Sequence, residues 1–176
     1  SSVRVLCPSQ FKPLLRQQSK GMSIPDTMRA FIYDRADPSG MGFRADFPAP
    51  KPCSKFVIVK VCAAALNPVD FKINKFPVIG RTYNQKPIGF DVSGEVVHAP
   101  EACGFQQGDE VFGFAKNGSF AEYAEAEPSK LAKKPAAVSH IEAAMLPLAG
   151  CTSLQAVRDV GNVQEGDNIL VIGASG

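Results

Sequence analysis

Glycine and proline cut this chain into short pieces: 15 glycines and 14 prolines punctuate 176 residues. The runs between them are rich in β-branched residues, and many short strands set off by Gly/Pro turns point to a small barrel or sandwich. The clearest run is 56–65, Phe-Val-Ile-Val-Lys-Val-Cys-Ala-Ala-Ala, which reads as a strand. Ahead of it, 29–33 predicts a short strand. A turn-rich stretch through Pro38, Gly40 and Gly42 follows, then a loop holding Pro48, Pro50 and Pro52. Beyond it, 89–97 predicts a strand in which Gly94 marks a bulge or a close backbone approach. Residues 108–113 form a turn into a strand, and 119–124 alternate as a half-buried strand does.

Helix signals are equally local. In Asn67-Pro68-Val69-Asp70 the asparagine can cap, the proline suits the first helical position, and the aspartate can return a bond to the cap. That predicts a helix over 68–74. Ser139-His140-Ile141-Glu142 is a capping box ahead of a second helix, which Pro147 interrupts. A further helix is expected over 152–160, ended by Gly161. An apolar strand over 168–172 then opens into Gly173, Ala174, Ser175 and Gly176. A buried strand running into a glycine turn begins a dinucleotide-binding unit, where backbone N–H groups approach a pyrophosphate. Any strand end can carry four such residues, so cofactor binding and an ordinary turn both stand on the residues alone.

Charge and cysteine content exclude several classes. The formal net charge is +2, too small for an extended nucleic-acid footprint. No stretch approaches the roughly 20 apolar residues of a transmembrane helix. Cysteines at 7, 53, 62, 103 and 151 form no C-x-x-C pair and no metal-ligand spacing with a histidine, so reduced, structural thiols are expected. Residues 1–27 carry Arg4, Lys12, Arg16 and Lys20 among serines, with no acid before Asp26. That is the composition of an organelle transit peptide, implying a plastid or mitochondrion. The alternative is a non-native leader with Met22 or Met28 as the start, and a cytoplasmic protein.

Six segments in order resemble one family: 63–72 (AAALNPVDFK), 88–96 (IGFDVSGEV), 108–113 (GDEVFG), 118–123 (GSFAEY), 146–152 (LPLAGCT) and 171–176 (VIGASG). They are similar to the quinone oxidoreductase and enone (alkenal) reductase branch of the medium-chain dehydrogenase/reductase superfamily. The resemblance spans residues 28–176. It implies an α/β protein in which a GroES-like β-barrel domain precedes a Rossmann fold, with the active site between them. On that reading 1–27 is the leader, 28–147 the GroES-like catalytic domain, and 148–176 the start of an incomplete NADP-binding Rossmann domain. The chain is then expected to be a fragment, inactive alone.

The resemblance also bears on metal and cofactor. Where zinc-dependent members place a Cys, a His and a further Cys on catalytic zinc, this chain aligns Asn67, Phe90 and Leu148, with Cys151 close to the third position. None of the three aligned side chains offers the thiolate or imidazole that tetrahedral zinc prefers. The cysteine-rich structural zinc loop is also missing, so no metal is expected. The resemblance implies hydride transfer from NADPH to an enone, alkenal or quinone, for which the protein mainly positions reactants and excludes water.

Lys72 is implied to reach the nicotinamide end of the cofactor, against the reading of a solvated surface lysine. Thr152 is implied beside the nicotinamide, against a plain helix-start hydroxyl. Asn67 is a cofactor candidate and Asp70 a substrate-pocket candidate, although both also read as capping residues. Gly173, Ala174, Ser175 and Gly176 belong to the cofactor set, and Phe76 and Tyr83 to the substrate pocket or to ordinary packing. His98 and His140 read as surface or loop histidines without a catalytic role; Glu95 and Glu122 as exposed or paired. Partners expected are a small enone or quinone, with a homodimer as the assembly to consider. A non-catalytic GroES-like binding module is the alternative if the chain truly ends at 176, and a zinc-free alcohol dehydrogenase relative is a third reading.

Overall fold

The computed structural model describes residues 5–6, 23–37, 39–76 and 78–173, with the backbone alone for 5, 6 and 74. Eight strands and four short helices follow in the order β1 (Val5–Leu6), β2 (Thr27–Tyr33), β3 (Met41–Pro48), β4 (Val57–Ala65), α1 (Pro68–Lys72), α2 (Ile79–Tyr83), β5 (Asp91–His98), β6 (Glu110–Phe114), β7 (Tyr123–Ala126), β8 (Leu131–Lys133), α3 (His140–Ala144) and α4 (Pro147–Leu154). The class is mixed α/β. The main sheet runs β1-β4-β5-β6-β8, with β7 also on β4, and every pairing is antiparallel.

β4 is the spine, and Val57, Ile58 and Val59 are all fully buried. An antiparallel strand usually wets one face, but here both faces are covered. One face carries a valine-rich core of Val57, Val59, Val92, Val96 and Val111. On the other side α3 packs against β4 and β5, and its Ala143 and Ala144 are also fully buried. The expected close approach at Gly94 is present. A Cβ there would lie 2.1 Å from the Lys60 carbonyl oxygen, and the β4–β5 register shifts between Val61 and Ala63. β4 also pairs β7 along its first half and β1 at its end.

Several expectations are corrected. The stretch around Gly42 is a strand, β3, which pairs β2 in a separate two-stranded sheet. Asp34 braces that hairpin: it accepts the Ala36 N–H at 3.0 Å and the Arg44 guanidinium at 3.0 Å. The loop after α1 contains a second helix, α2. Pro147 does not interrupt a helix but opens one, at the first helical position of α4, where its missing N–H costs nothing. α4 runs on as a π-helical stretch over Gln155–Val160. Residues 168–171 are not a strand; Leu170 and Ile172 are 84% and 87% exposed. A strand needs a neighbour for its N–H and C=O groups, and among the described residues none lies beside this segment.

Candidate functional site

The site is assembled at the start of β5. Gly89 precedes it at φ +92°, where a Cβ would fall 2.4 Å from Ser119 Oγ, so the sharp approach to the strand requires glycine. The chain then enters β5 at Asp91, whose backbone is paired to Ala65 on one side and Phe114 on the other.

Asp91 is fully buried. Its Oδ2 accepts the Asn67 side-chain amide at 2.9 Å, and its Oδ1 accepts the Leu148 backbone N–H at 3.0 Å. One carboxylate therefore joins the N-cap of α1 to the first turn of α4. Burial pushes the Asp91 carboxyl up, while its bonds from Asn67 and Leu148 pull it down.

Beneath it lies a second buried carboxylate. Asp70 accepts the Asn67 backbone N–H at 2.6 Å, the return bond expected of a capping residue. Its other oxygen has no partner, and neither has the buried Tyr33 hydroxyl. Burial raises Asp70 to about 6; the Asn67 bond opposes this and the Asp91 charge adds to it. Tyr33 is held protonated, first by burial and then by the Asp70 charge. From Tyr33 an edge-to-face aromatic ladder runs through Tyr83, 5.9 Å away, to Phe90 at a further 6.1 Å. A cleft of about 260 Å³ opens beside it, lined by Tyr33, Arg35, Met41, Phe71 and Lys75.

The expected site residues thus divide. Asn67, Asp70 and Leu148 meet around Asp91, and Tyr83 stacks against Phe90. Lys72 is exposed at the end of α1 with Nζ 5.9 Å from the Phe71 ring, and Thr152 is exposed on α4. Phe76 is 54% exposed. Gly173 is exposed at φ +72°, while Ala174, Ser175 and Gly176 lie outside the described residues. Asp91 itself went unassigned, although a carboxylate at the start of a largely buried strand is a signal of a buried polar partner.

The histidines are not loose surface groups. His98 Nε2 donates to the Cys53 carbonyl at 2.9 Å. His140 Nδ1 lies 2.8 Å from Ser93 Oγ and its Nε2 3.1 Å from Glu110 Oε1, so it ties α3 to β5 and β6. A serine, a histidine and a glutamate in line look like a hydrolytic set. Ser93 is fully buried and spends its proton on the Val111 carbonyl at 3.0 Å, so no substrate reaches it. Glu122, expected to be exposed or paired, is paired: both oxygens bond Arg29. Among the described residues no three His, Cys, Asp or Glu side chains gather as a metal site.

Comparison with known proteins gives this arrangement a family. Residues 54–136 match the alcohol dehydrogenase GroES-like domain. The chain is 35% identical over 173 residues to the 2-methylene-furan-3-one reductase of Solanum lycopersicum, a match covering 91% of this chain and 44% of that protein. It is 35% identical over 171 residues to the chloroplastic NADPH-dependent alkenal/one oxidoreductase of Arabidopsis thaliana, covering 88% and 43%. Among solved structures, the quinone oxidoreductase from Coxiella burnetii superposes with a TM-score of 0.68 at 33% identity, over 80% of this chain and 47% of that one. The fold and match define a GroES-like domain of the alcohol dehydrogenase type. The chain belongs to the medium-chain dehydrogenase/reductase superfamily, in its quinone oxidoreductase branch. It spans about half the length of the relatives it matches.

Proposed function

We propose that this chain is the catalytic-domain side of a zinc-independent reductase that transfers hydride from NADPH to the double bond of an enone or alkenal, or to a quinone. The observation that carries the reading is the Asp91 tie. Two of the three positions that align with zinc ligands, Asn67 and Leu148, are joined through a carboxylate, and the third holds an aromatic ring packed on Tyr83. The names of the relatives supply the acceptor class and the nicotinamide.

NADPH would supply the hydride. The chain's own residues would bind and orient: the Lys72 ammonium donates to ribose or carboxamide oxygens, and the Thr152 hydroxyl donates or accepts beside them. Both are exposed, as groups meeting a cofactor from one wall of a cleft must be. Tyr83 and Phe90 offer an apolar wall to a flat acceptor, and the exposed Phe76 is a further candidate for it. Hydride addition leaves negative charge on the acceptor, and the proton that completes the reduction, on carbon for an enone and on oxygen for a quinone, comes from solvent or a weak side-chain donor. We assign 28–147 to the GroES-like domain and 148–176 to the start of the cofactor-binding domain. The basic, serine-rich stretch ahead of β2 is assigned to a plastid or mitochondrial leader, as the chloroplastic relative supports; its Val5–Leu6 pair with the end of β4 in this structure.

The test is NADPH oxidation by the protein expressed from its complete reading frame, with an enone, a quinone and, in reverse, an alcohol. Turnover of the enone or quinone is expected. Turnover of alcohols alone, or of none of these, rejects the assignment.

A further inference from the structure

We propose that Asp91 is a positioning residue for the cofactor cleft: it sets the spacing between the helix that carries Lys72 and the helix that carries Thr152. The inference rests on the reductase reading above.

Each end of the tie lies at the start of a helix. Asn67 is the N-cap of α1, and Lys72 is that helix's last residue. Leu148 stands in the first turn of α4. Thr152 follows it by four positions and so lies on the same helix face. Lys72 follows the Asn67 cap within one short helix and Thr152 follows Leu148 by one turn, so a displacement of either anchor moves the side chain beyond it.

Asp91 is suited to hold both because it is anchored in the sheet. Its backbone is paired on two sides, to Ala65 and to Phe114, in the middle of the main sheet. Its carboxylate is fully buried, and each oxygen is engaged by a different partner, at 2.9 Å and 3.0 Å. An amide here would turn an NH2 donor, in place of an acceptor, toward either the Asn67 amide or the Leu148 N–H. Asn67 is held a second time, through its backbone N–H on Asp70. The two helices are thus referenced to one rigid point in the sheet, which is what precise placement of a reactant requires.

Two measurements separate positioning from mere support. Hydrogen exchange of the Leu148 amide, on the protein from its complete reading frame, reads the tie itself, and Asp91→Asn should speed it. The dissociation constant for NADPH, read by nucleotide fluorescence on the protein from its complete reading frame, reads the consequence. Loss of a charged hydrogen bond predicts a rise on the order of tenfold in Asp91→Asn. Asp91→Glu, which keeps two acceptor oxygens, should restore much of both. It also serves as the working variant should Asp91→Asn fail to fold. Faster exchange at Leu148 with unchanged NADPH affinity would make Asp91 a structural tie only, and overturn the proposal. If the unsubstituted protein binds no NADPH, the reductase reading falls and this inference with it, while the Leu148 exchange still reports whether the tie exists.

Discussion

The backbone N–H of Asn67 donates to Asp70 Oδ2 at 2.6 Å, while the other oxygen of the same carboxylate is buried without a partner. One bond does not offset full burial beside the Asp91 charge, and Asp70 rises from 3.8 to about 6. The folded state therefore binds this proton more tightly than the unfolded chain. Its contribution to stability is fully present below about pH 4 and is lost as pH rises through about 6. A shift of that size corresponds to roughly 3 kcal/mol. Asp70→Asn keeps an acceptor for the Asn67 N–H and removes the charge. Denaturant unfolding between pH 4 and 6 should show a flatter stability profile in the variant; an unchanged slope would assign the titration elsewhere.

Gly94→Ala tests the close approach of β4 and β5. The added methyl would meet the Lys60 carbonyl oxygen at 2.1 Å and Val59 Cγ1 at 2.8 Å. Backbone on one side and a core valine on the other leave no cheap relaxation. A loss of about 3 kcal/mol is expected, read as a lowered melting temperature. A loss within about 0.5 kcal/mol, as at an ordinary surface position, would mean the strands can part at the Cys62 bulge.

Much of this was legible in the sequence, and the misses share a cause. β4 was readable because a run rich in β-branched residues is bounded by prolines, and α1 because cap, proline and aspartate fall at the right offsets. The Ser139–Glu142 capping box was readable for the same reason: Ser139 N–H donates to Glu142 Oε2 at 2.9 Å, and Glu142 N–H to Ser139 Oγ at 3.2 Å. All of these are local. β3 escaped because most of its residues are exposed, so no apolar alternation marks it. The strand expected over 168–172 has the right residues, but a strand is made by its neighbours. The roles of Asp91 and His140 were invisible because their partners lie far along the chain. Asp91 reaches 24 positions back and 57 forward, and His140 reaches 47 back to Ser93.

The alignment of Asn67, Phe90 and Leu148 with zinc-ligand positions can be tested by installing the ligands. Asn67 and Leu148 already converge on Asp91, and Phe90 is its chain neighbour. The triple variant Asn67→Cys, Phe90→His and Leu148→Cys offers the thiolates and imidazole that zinc prefers. Uptake of one zinc, or of cobalt with its visible absorption, is expected in the folded variant and not in the parent. A folded variant that takes up no metal would show that the three side chains do not converge.

Lys72→Ala tests the cofactor contact itself. Lys72 is exposed on a helix whose cap is buried, so removing its ammonium should leave the fold within about 0.5 kcal/mol, as for other surface changes. What it should remove is a charge-assisted bond to the nicotinamide end. The KM for NADPH is expected to rise on the order of tenfold, about 1.4 kcal/mol, with the KM for the acceptor little changed. Lys72→Arg keeps charge but not shape, and should fall between the two. An unaltered NADPH KM in a folded, active Lys72→Ala protein would return Lys72 to the solvated surface, and leave Thr152 and the Asn67 side of the cleft to hold the cofactor.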